Sequence, residues 1–442
     1  LAYWTGMRRS ASLTMTMSRL FAFRAFNGDE TFCTVSHLID RVTDPLPDIA
    51  GLCFDEDVRE YFDAVHSMAE YAEQLGAEGN PWLLWLAKLF AETETPFSLA
   101  NERRKTEDGS IKRIAKEELE RFVKYARFDL KQLDKLTETD WFAKTEKFVP
   151  MCRKKSEAAC RIMQLAEKIG AAENADALYA ALEDFYGSFG VGQYAFYKAF
   201  RWDKNTRGIV PVTNTEETRL DGIIGYDEQK KTLCENTEAF IAGLPANNVL
   251  LYGESGTGKS TSIKAVLNEY APQGLRMVEV YKHQIEDLDE IINQIKQRNY
   301  RFILYMDDLS FEQFEIEYKY LKSFIEGGLE KRPDNVLIYA TSNRRHLMKE
   351  SWKDKEDMQE DMHESETMQE KMSLVDRFGL LIRFISPAQK EYLNIVHGLA
   401  KEYGVEINEE LDLGAIRWEL KHGGFSGRSA RQFVEHAAGK KK

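Results

Sequence analysis

The chain has 442 residues, 43% hydrophobic and 30% charged, with a formal net charge of -13. That balance belongs to a folded chain of two or three domains and excludes a largely disordered one, while the acidic surplus argues against whole-surface attraction to nucleic acid. The most apolar short run, Trp82 to Phe90, is broken by Lys88 and is far shorter than the roughly 18 residues of a membrane-spanning helix, so a soluble, cytoplasmic protein without a membrane partner is expected.

Residues 1–29 contain Arg8, Arg9, Arg19 and Arg24 and no acid before Asp29, a composition like an organelle transit peptide. The segment is set aside as a disordered or non-native extension. From residue 30 to residue 202 apolar residues recur at three- and four-residue intervals, as in Val58, Tyr61, Phe62, Val65, Met68 and Ala69, predicting an all-α N-terminal domain. Within it, Ile111 to Lys135 reads as one long amphipathic helix. The aromatic and glycine-rich stretch Phe185 to Tyr197 reads as packing between domains rather than as a base-stacking surface. The five cysteines, at 33, 53, 152, 160 and 234, have no CxxC spacing and fit a reducing compartment; the eight histidines have no metal-binding spacing.

Residues 203–222 are polar and turn-rich and are expected to be a linker. Over 223–386 the pattern changes to short apolar runs separated by helical lengths: Asn248–Tyr252, Arg276–Tyr281, Arg301–Met306, Asn335–Ala340 and Leu380–Ile385. Such runs predict a parallel α/β sheet. After Pro387 a helical pattern returns, predicting a small terminal domain over 387–442.

Gly253-Glu254-Ser255-Gly256-Thr257-Gly258-Lys259-Ser260 fits GxxxxGK[ST] between a predicted strand and a predicted helix that starts at Thr261. Glycines let the backbone curl so that its N–H groups face phosphates, and the following helix adds its N-terminal dipole. Lys259 is therefore expected on the β- and γ-phosphates of ATP and Ser260 on Mg²⁺, with Thr261 completing the nucleotide-binding segment. The apolar run 301–306 ends in Asp307-Asp308, where a carboxylate at a strand end can reach the same crevice. Asp307 is assigned to the metal and Asp308 to polarising the attacking water. The next run ends in Thr341-Ser342-Asn343, and Asn343 is expected to orient that water.

The order of these motifs resembles the AAA+ ATPases, from about Arg219 to the end of the chain. The runs 245–253, 307–311 and 340–346 are also similar to a bacterial P-loop family described as a domain of unknown function. The resemblance implies an AAA+ αβα parallel sheet with a small helical lid, preceded here by the all-α domain, which would dock a partner. It places Ile223 and Ile224, in Leu220-Asp221-Gly222-Ile223-Ile224-Gly225, against the adenine. It makes Arg377 an arginine finger acting across a subunit boundary, with an ion pair to Asp376 as the alternative. Arg428 becomes a lid residue on the γ-phosphate, with Arg431, one turn on, as its competitor.

Two features depart from the pattern. Asp308 stands where many members carry Glu, one methylene longer, and Tyr281-Lys282-His283 lacks the aromatic-plus-glycine loop of threading unfoldases. The acidic, Met-rich stretch Met348 to Met372 reads as a solvated helical excursion or a soft partner-binding face. The resulting expectation is an ATPase working as a ring-like homo-oligomer, a hexamer being one option, on a protein client. A slow ATP-dependent binding switch and a helicase-loader-like remodeller of nucleic acid are the alternatives. No Asn-Lys-x-Asp base reader is present to suggest a GTPase.

Overall fold

The computed structural model describes residues 20–43, 54–103, 109–151, 156–311, 316–326, 333–343, 374–422 and 424–440. The chain forms two compact units, residues 1–196 and 197–442.

The first unit is helical, as the periodicity predicts. Its longer helices are α1 (Glu30–Thr43), α2 (Phe54–Leu75), α3 (Pro81–Glu92), α4 (Ser110–Arg127), α5 (Glu157–Ala171) and α6 (Ala175–Phe189). Helix α3 is apolar nearly all round and correspondingly buried; Asn80 starts it by accepting from the N–H groups of Trp82 and Leu83, with Pro81 at the first helical position. Ser156 and Asn174 cap α5 and α6 in the same way.

Part of the segment set aside as an extension belongs to this core. Phe23 and Phe26 are 0% and 1% exposed, and the Phe23 ring meets Phe90, Phe97 and Phe122 at 5.5, 5.5 and 5.3 Å. Buried Glu118 fixes the strap by accepting from the backbone N–H groups of Phe21, Ala22 and Phe23. Aromatic burial outweighs the basic composition that made residues 20–29 look external; residues 1–19 lie outside the described residues.

The helix expected over 111–135 is two. Phe128 leaves the helical conformation, and the Asp129 carboxylate accepts from the Lys131 N–H at 3.1 Å to begin a new turn, Lys131–Leu136. The break lets Asp134 turn inward and hold the backbone N–H groups of Phe142 and Ala143.

The second unit is built on a seven-stranded sheet of β1 (Ala199–Asp203), β2 (Gly208–Pro211), β3 (Val249–Gly253), β4 (Leu275–Glu279), β5 (Arg301–Met306), β6 (Val336–Ser342) and β7 (Leu380–Phe384). Their spatial order is β2-β1-β4-β5-β6-β3-β7, all parallel except the β1–β2 hairpin. The expected linker over 203–222 therefore begins inside the sheet. Asp203 closes the hairpin turn by accepting from the Asn205 N–H and the Thr206 hydroxyl, and β1 pairs in parallel with β4. Helices α7 (Asp227–Ile241) and α8 (Lys259–Tyr270) bury Leu233, Phe240, Ile263 and Val266 against one face of the sheet. α9 (Leu288–Ile295) and α10 (Ile316–Glu326) follow before the lid.

The lid is α11 (Gln389–Glu402), α12 (Glu409–His422) and α13 (Gly427–Gly439), closed around Tyr392, Val396, Leu399, Ala415, Phe433 and Val434. A parallel sheet with β3 between β6 and β7, followed by a three-helix lid, is the AAA+ arrangement that the motifs imply. It brings the carboxyl ends of β3, β5 and β6 to one crevice.

Candidate functional site

The loop between β3 and α8 is shaped by backbone conformations that side chains resist. Gly253, Gly256 and Gly258 have φ of +138°, +76° and +95°. At Gly253 a Cβ would stand 1.8 Å from the Phe384 carbonyl oxygen on β7, so the loop leaves the strand at a position only glycine fits. The Thr257 hydroxyl donates to the Glu254 carbonyl at 2.8 Å and pins the turn, while the Ser386 hydroxyl holds the Glu254 carboxylate. Helix α8 then begins at Lys259, its free N–H groups facing the concavity.

Lys259 is 6% exposed and donates to the carbonyls of Gly253 and Glu254, at 2.9 and 2.6 Å, and to Asn343 Oδ1 at 3.0 Å. Burial draws its ammonium below the ordinary lysine value, against the opposing pull of Asp308 and Asp307. The Ser260 hydroxyl donates to Asp307 Oδ1 at 2.6 Å, and Thr341 from β6 donates to the same oxygen at 2.6 Å. Crowding by protein pushes the Asp307 carboxyl upward, but the bonds from the Ser260 and Thr341 hydroxyls, the nearby Tyr305 hydroxyl, which makes no bond of normal geometry, and the charge of Lys264 prevail and leave it below the ordinary carboxylate value. Its side chain nonetheless keeps solvent access at the crevice mouth.

Asp308 has φ of +48°, a left-handed conformation that non-glycine residues seldom adopt. Three bonds to β6 and its end hold it there: the Asp308 N–H donates to Thr341 Oγ1 at 2.9 Å, the next N–H, of Leu309, to the Thr341 carbonyl at 2.7 Å, and Asn343 Nδ2 to Asp308 Oδ1 at 2.7 Å. The motif residues thus form a continuous hydrogen-bonded chain, Ser260–Asp307–Thr341–Asp308–Asn343–Lys259, across three strand ends. Thr341 is the member that the sequence reading did not single out. Its signal was its place two residues before Asn343 on a fully buried strand, where a hydroxyl needs a partner.

The lid touches the loop directly. The Arg428 N–H donates to the Gly256 carbonyl at 3.2 Å, and a Cβ on Gly256 would meet Arg428 Cβ and Ser426 Oγ, each at 3.1 Å. Arg428 is also close enough to Lys259 to depress its ammonium further, whereas Arg431 acts on Tyr403. Of the two candidates, Arg428 faces the loop. Ile223 is 9% exposed and its carbonyl accepts from Lys230 Nζ at 2.7 Å; Ile224 packs into the lid core against Gly398, where a Cβ would lie 2.0 Å from Ile224 Cδ1. The two isoleucines therefore sit at the junction of sheet and lid. Arg377 lies on the short turn Asp376–Phe378 before β7. The Met-rich stretch and residues 344–346 lie outside the described residues.

Among the described residues no cluster of three or more His, Cys, Asp or Glu could hold a metal alone. A cation here would take the Ser260 and Asp307 oxygens and draw its remaining ligands from water and phosphate, the coordination Mg²⁺ favours. Among the same residues no helix is long and apolar enough to cross a membrane.

The model of the family described as "Protein of unknown function (DUF815)" matches residues 195–441, more than half of the chain. The replication factor C large subunit of Methanococcus vannielii is 39% identical over 51 residues, 12% of this chain and 10% of that protein. The solved Thermotoga maritima RuvB Holliday junction branch migration motor aligns with a TM-score of 0.35 at 17% identity, covering 49% of this chain and 63% of that one. A variant of the same RuvB gives a TM-score of 0.36 at 20% identity over the same shares. The chain thus spans a tenth of the curated relative and under two thirds of these structures, and the site rests on its own geometry rather than on theirs.

Proposed function

The chain belongs to the DUF815 family, and we propose that it binds and hydrolyses Mg-ATP, using turnover to change the conformation or assembly of a macromolecular partner. The observation that carries this reading is the direct bond from Ser260 to Asp307, which joins the phosphate loop to the acidic strand end. Ser260 and Asp307 would then supply two hard oxygen ligands to a divalent cation. Mg²⁺ bound there would neutralise charge on the phosphates.

The remaining steps fall to the chain's own groups. Lys259, already buried and ringed by acceptors, exchanges the loop carbonyls for phosphate oxygens. Asp308 accepts a hydrogen bond from the attacking water, and Asn343, which donates to Asp308 and accepts from Lys259, holds that carboxylate and the water in line. The first turn of α8 receives the phosphates on its N–H groups. Arg428 closes the site from the lid, so that lid position and phosphate occupancy are linked through the Gly256 contact. Arg377 would act on the γ-phosphate of a neighbouring subunit in a ring-like homo-oligomer, where a guanidinium contributes roughly 10³-fold or more in rate. Ile223 and Ile224 would line the adenine site.

Steady-state ATP hydrolysis measured against protein concentration, with mass by light scattering, tests the proposal. Activity that rises with assembly, and is lost in Asp308→Ala and Arg377→Ala while ATP still binds, is expected. No turnover in the assembled wild type would remove the hydrolytic reading. A second reading, a slow ATP-dependent switch that recruits a protein, is favoured by one feature: Asp308 is short and strapped to β6 and its end at φ +48°. ATP binding that changes partner affinity without multiple turnovers would support it.

A further inference from the structure

Several buried tyrosine hydroxyls in this chain end on partners. Tyr339 bonds Thr237 at 2.8 Å and Asn236 at 3.1 Å, Tyr186 donates to the Phe90 carbonyl at 2.7 Å, and Tyr61 donates to Asp134 at 3.1 Å. Tyr179, in the first unit, and Tyr305 do not. Tyr305 lies on β5 directly opposite Tyr339, is 2% exposed, and its hydroxyl is buried without a hydrogen bond of normal geometry among the described residues. A phenylalanine would fill the same apolar space under α8 with no unsatisfied group, so the hydroxyl weakens the core unless something else uses it.

The position of that hydroxyl indicates its use. It sits beside Ser260 and Asp307, close enough to influence both. Asp307 Oδ1 already serves two donors at 2.6 Å, Ser260 and Thr341. A cation that draws the Ser260 oxygen toward itself loosens one of these bonds. The carboxylate then loses part of what orients it, at the moment when its orientation matters.

Accepting the Mg-ATP reading above, on which this inference rests, we propose that Tyr305 is a positioning residue for the cation pair. Its hydroxyl is a donor held in reserve, which takes hold of the Asp307 carboxylate when Ser260 turns its own oxygen to a divalent cation. Groups behind a metal's direct ligands fix their orientation, and their loss costs about tenfold or more in metal affinity.

The test is binding of a fluorescent ATP analogue to the full chain, wild type and Tyr305→Phe, first in excess chelator and then across a Mg²⁺ titration. Melting of the nucleotide-free proteins is recorded alongside. The expected result is a Mg²⁺ requirement raised about tenfold in Tyr305→Phe, with metal-free nucleotide affinity unchanged and melting temperature not lowered. An unchanged Mg²⁺ requirement overturns the proposal. So does a parallel loss of metal-free affinity and of melting temperature, which would make Tyr305 a packing residue. A wild-type chain that binds no nucleotide removes the Mg-ATP reading and this role together, whereas wild-type binding with an identical Mg²⁺ requirement in Tyr305→Phe removes this role alone.

Discussion

Replacing Asn343 with alanine perturbs the link between Lys259, the lysine proposed to bind phosphate, and the acid assigned to water. Asn343 accepts from Lys259 at 3.0 Å and donates to Asp308 at 2.7 Å, and both partners carry charge. Hydrogen bonds to charged groups contribute about 1.5–3 kcal/mol each when water is kept out. Asn343 is itself exposed, so water replaces much of what is lost. What water does not replace is alignment, and about 1–2 kcal/mol of lost transition-state positioning corresponds to a rate reduced about 5- to 30-fold. Lys259 keeps its bonds to the Gly253 and Glu254 carbonyls, so ATP affinity should change by less than the rate. Single-turnover hydrolysis of pre-bound ATP, paired with equilibrium binding, separates the two effects. An unchanged rate, or a loss of affinity as large as the loss of rate, would refute the assignment of Asn343 to the hydrolytic step.

Other substitutions probe the same framework. Gly256→Ala places a Cβ 3.1 Å from Arg428 Cβ and Ser426 Oγ at φ +76°, and should cost about 1–2 kcal/mol while loosening the lid, read as a lower melting temperature and weaker ATP binding. Because Asp307 sits below the ordinary carboxylate value, the unfolded chain takes up its proton first; its stabilisation is full above about pH 4 and fades as pH falls through the lower folded value. The difference in melting temperature between wild type and Asp307→Asn should therefore shrink as pH falls below about 4, and a difference that grows would contradict the sign. Glu118→Ala strands the buried backbone N–H groups of Ala22 and Phe23 in the first unit and should cost about 2–4 kcal/mol in urea unfolding, against no measurable change if the strap contributed nothing.

The crevice was legible because its chemistry sits where sequence patterns change. Gly253 to Ser260 joins an apolar strand to a helix, and Asp307 and Asn343 each follow an apolar run, so strand ends and functional groups coincide. Other features depended on contacts distant in sequence. The β1 strand, Ala-Phe-Arg-Trp-Asp, is short and half polar, and only its pairing with β4 identifies it. Phe23 and Phe26 lie in a basic segment, and their burial follows from Phe90, Phe97 and Phe122 far along the chain. The alternatives Arg428 and Arg431 are one turn apart on one helix, and the Gly256 contact distinguishes them. Tyr305 reads as one more core aromatic until its hydroxyl is found, among the described residues, without a hydrogen bond of normal geometry.

The central claim is that Lys259, Ser260 and Asp307 form a Mg-ATP site. Calorimetric titration of ATP into the full chain, with Mg²⁺ and with excess chelator, for wild type and Lys259→Ala, tests it most directly. The account predicts saturable wild-type binding that tightens with Mg²⁺ and is lost or weakened at least tenfold in Lys259→Ala, a change of about 1.4 kcal/mol or more. Equal affinity in the two proteins, or no binding of ATP by the wild type, would contradict it.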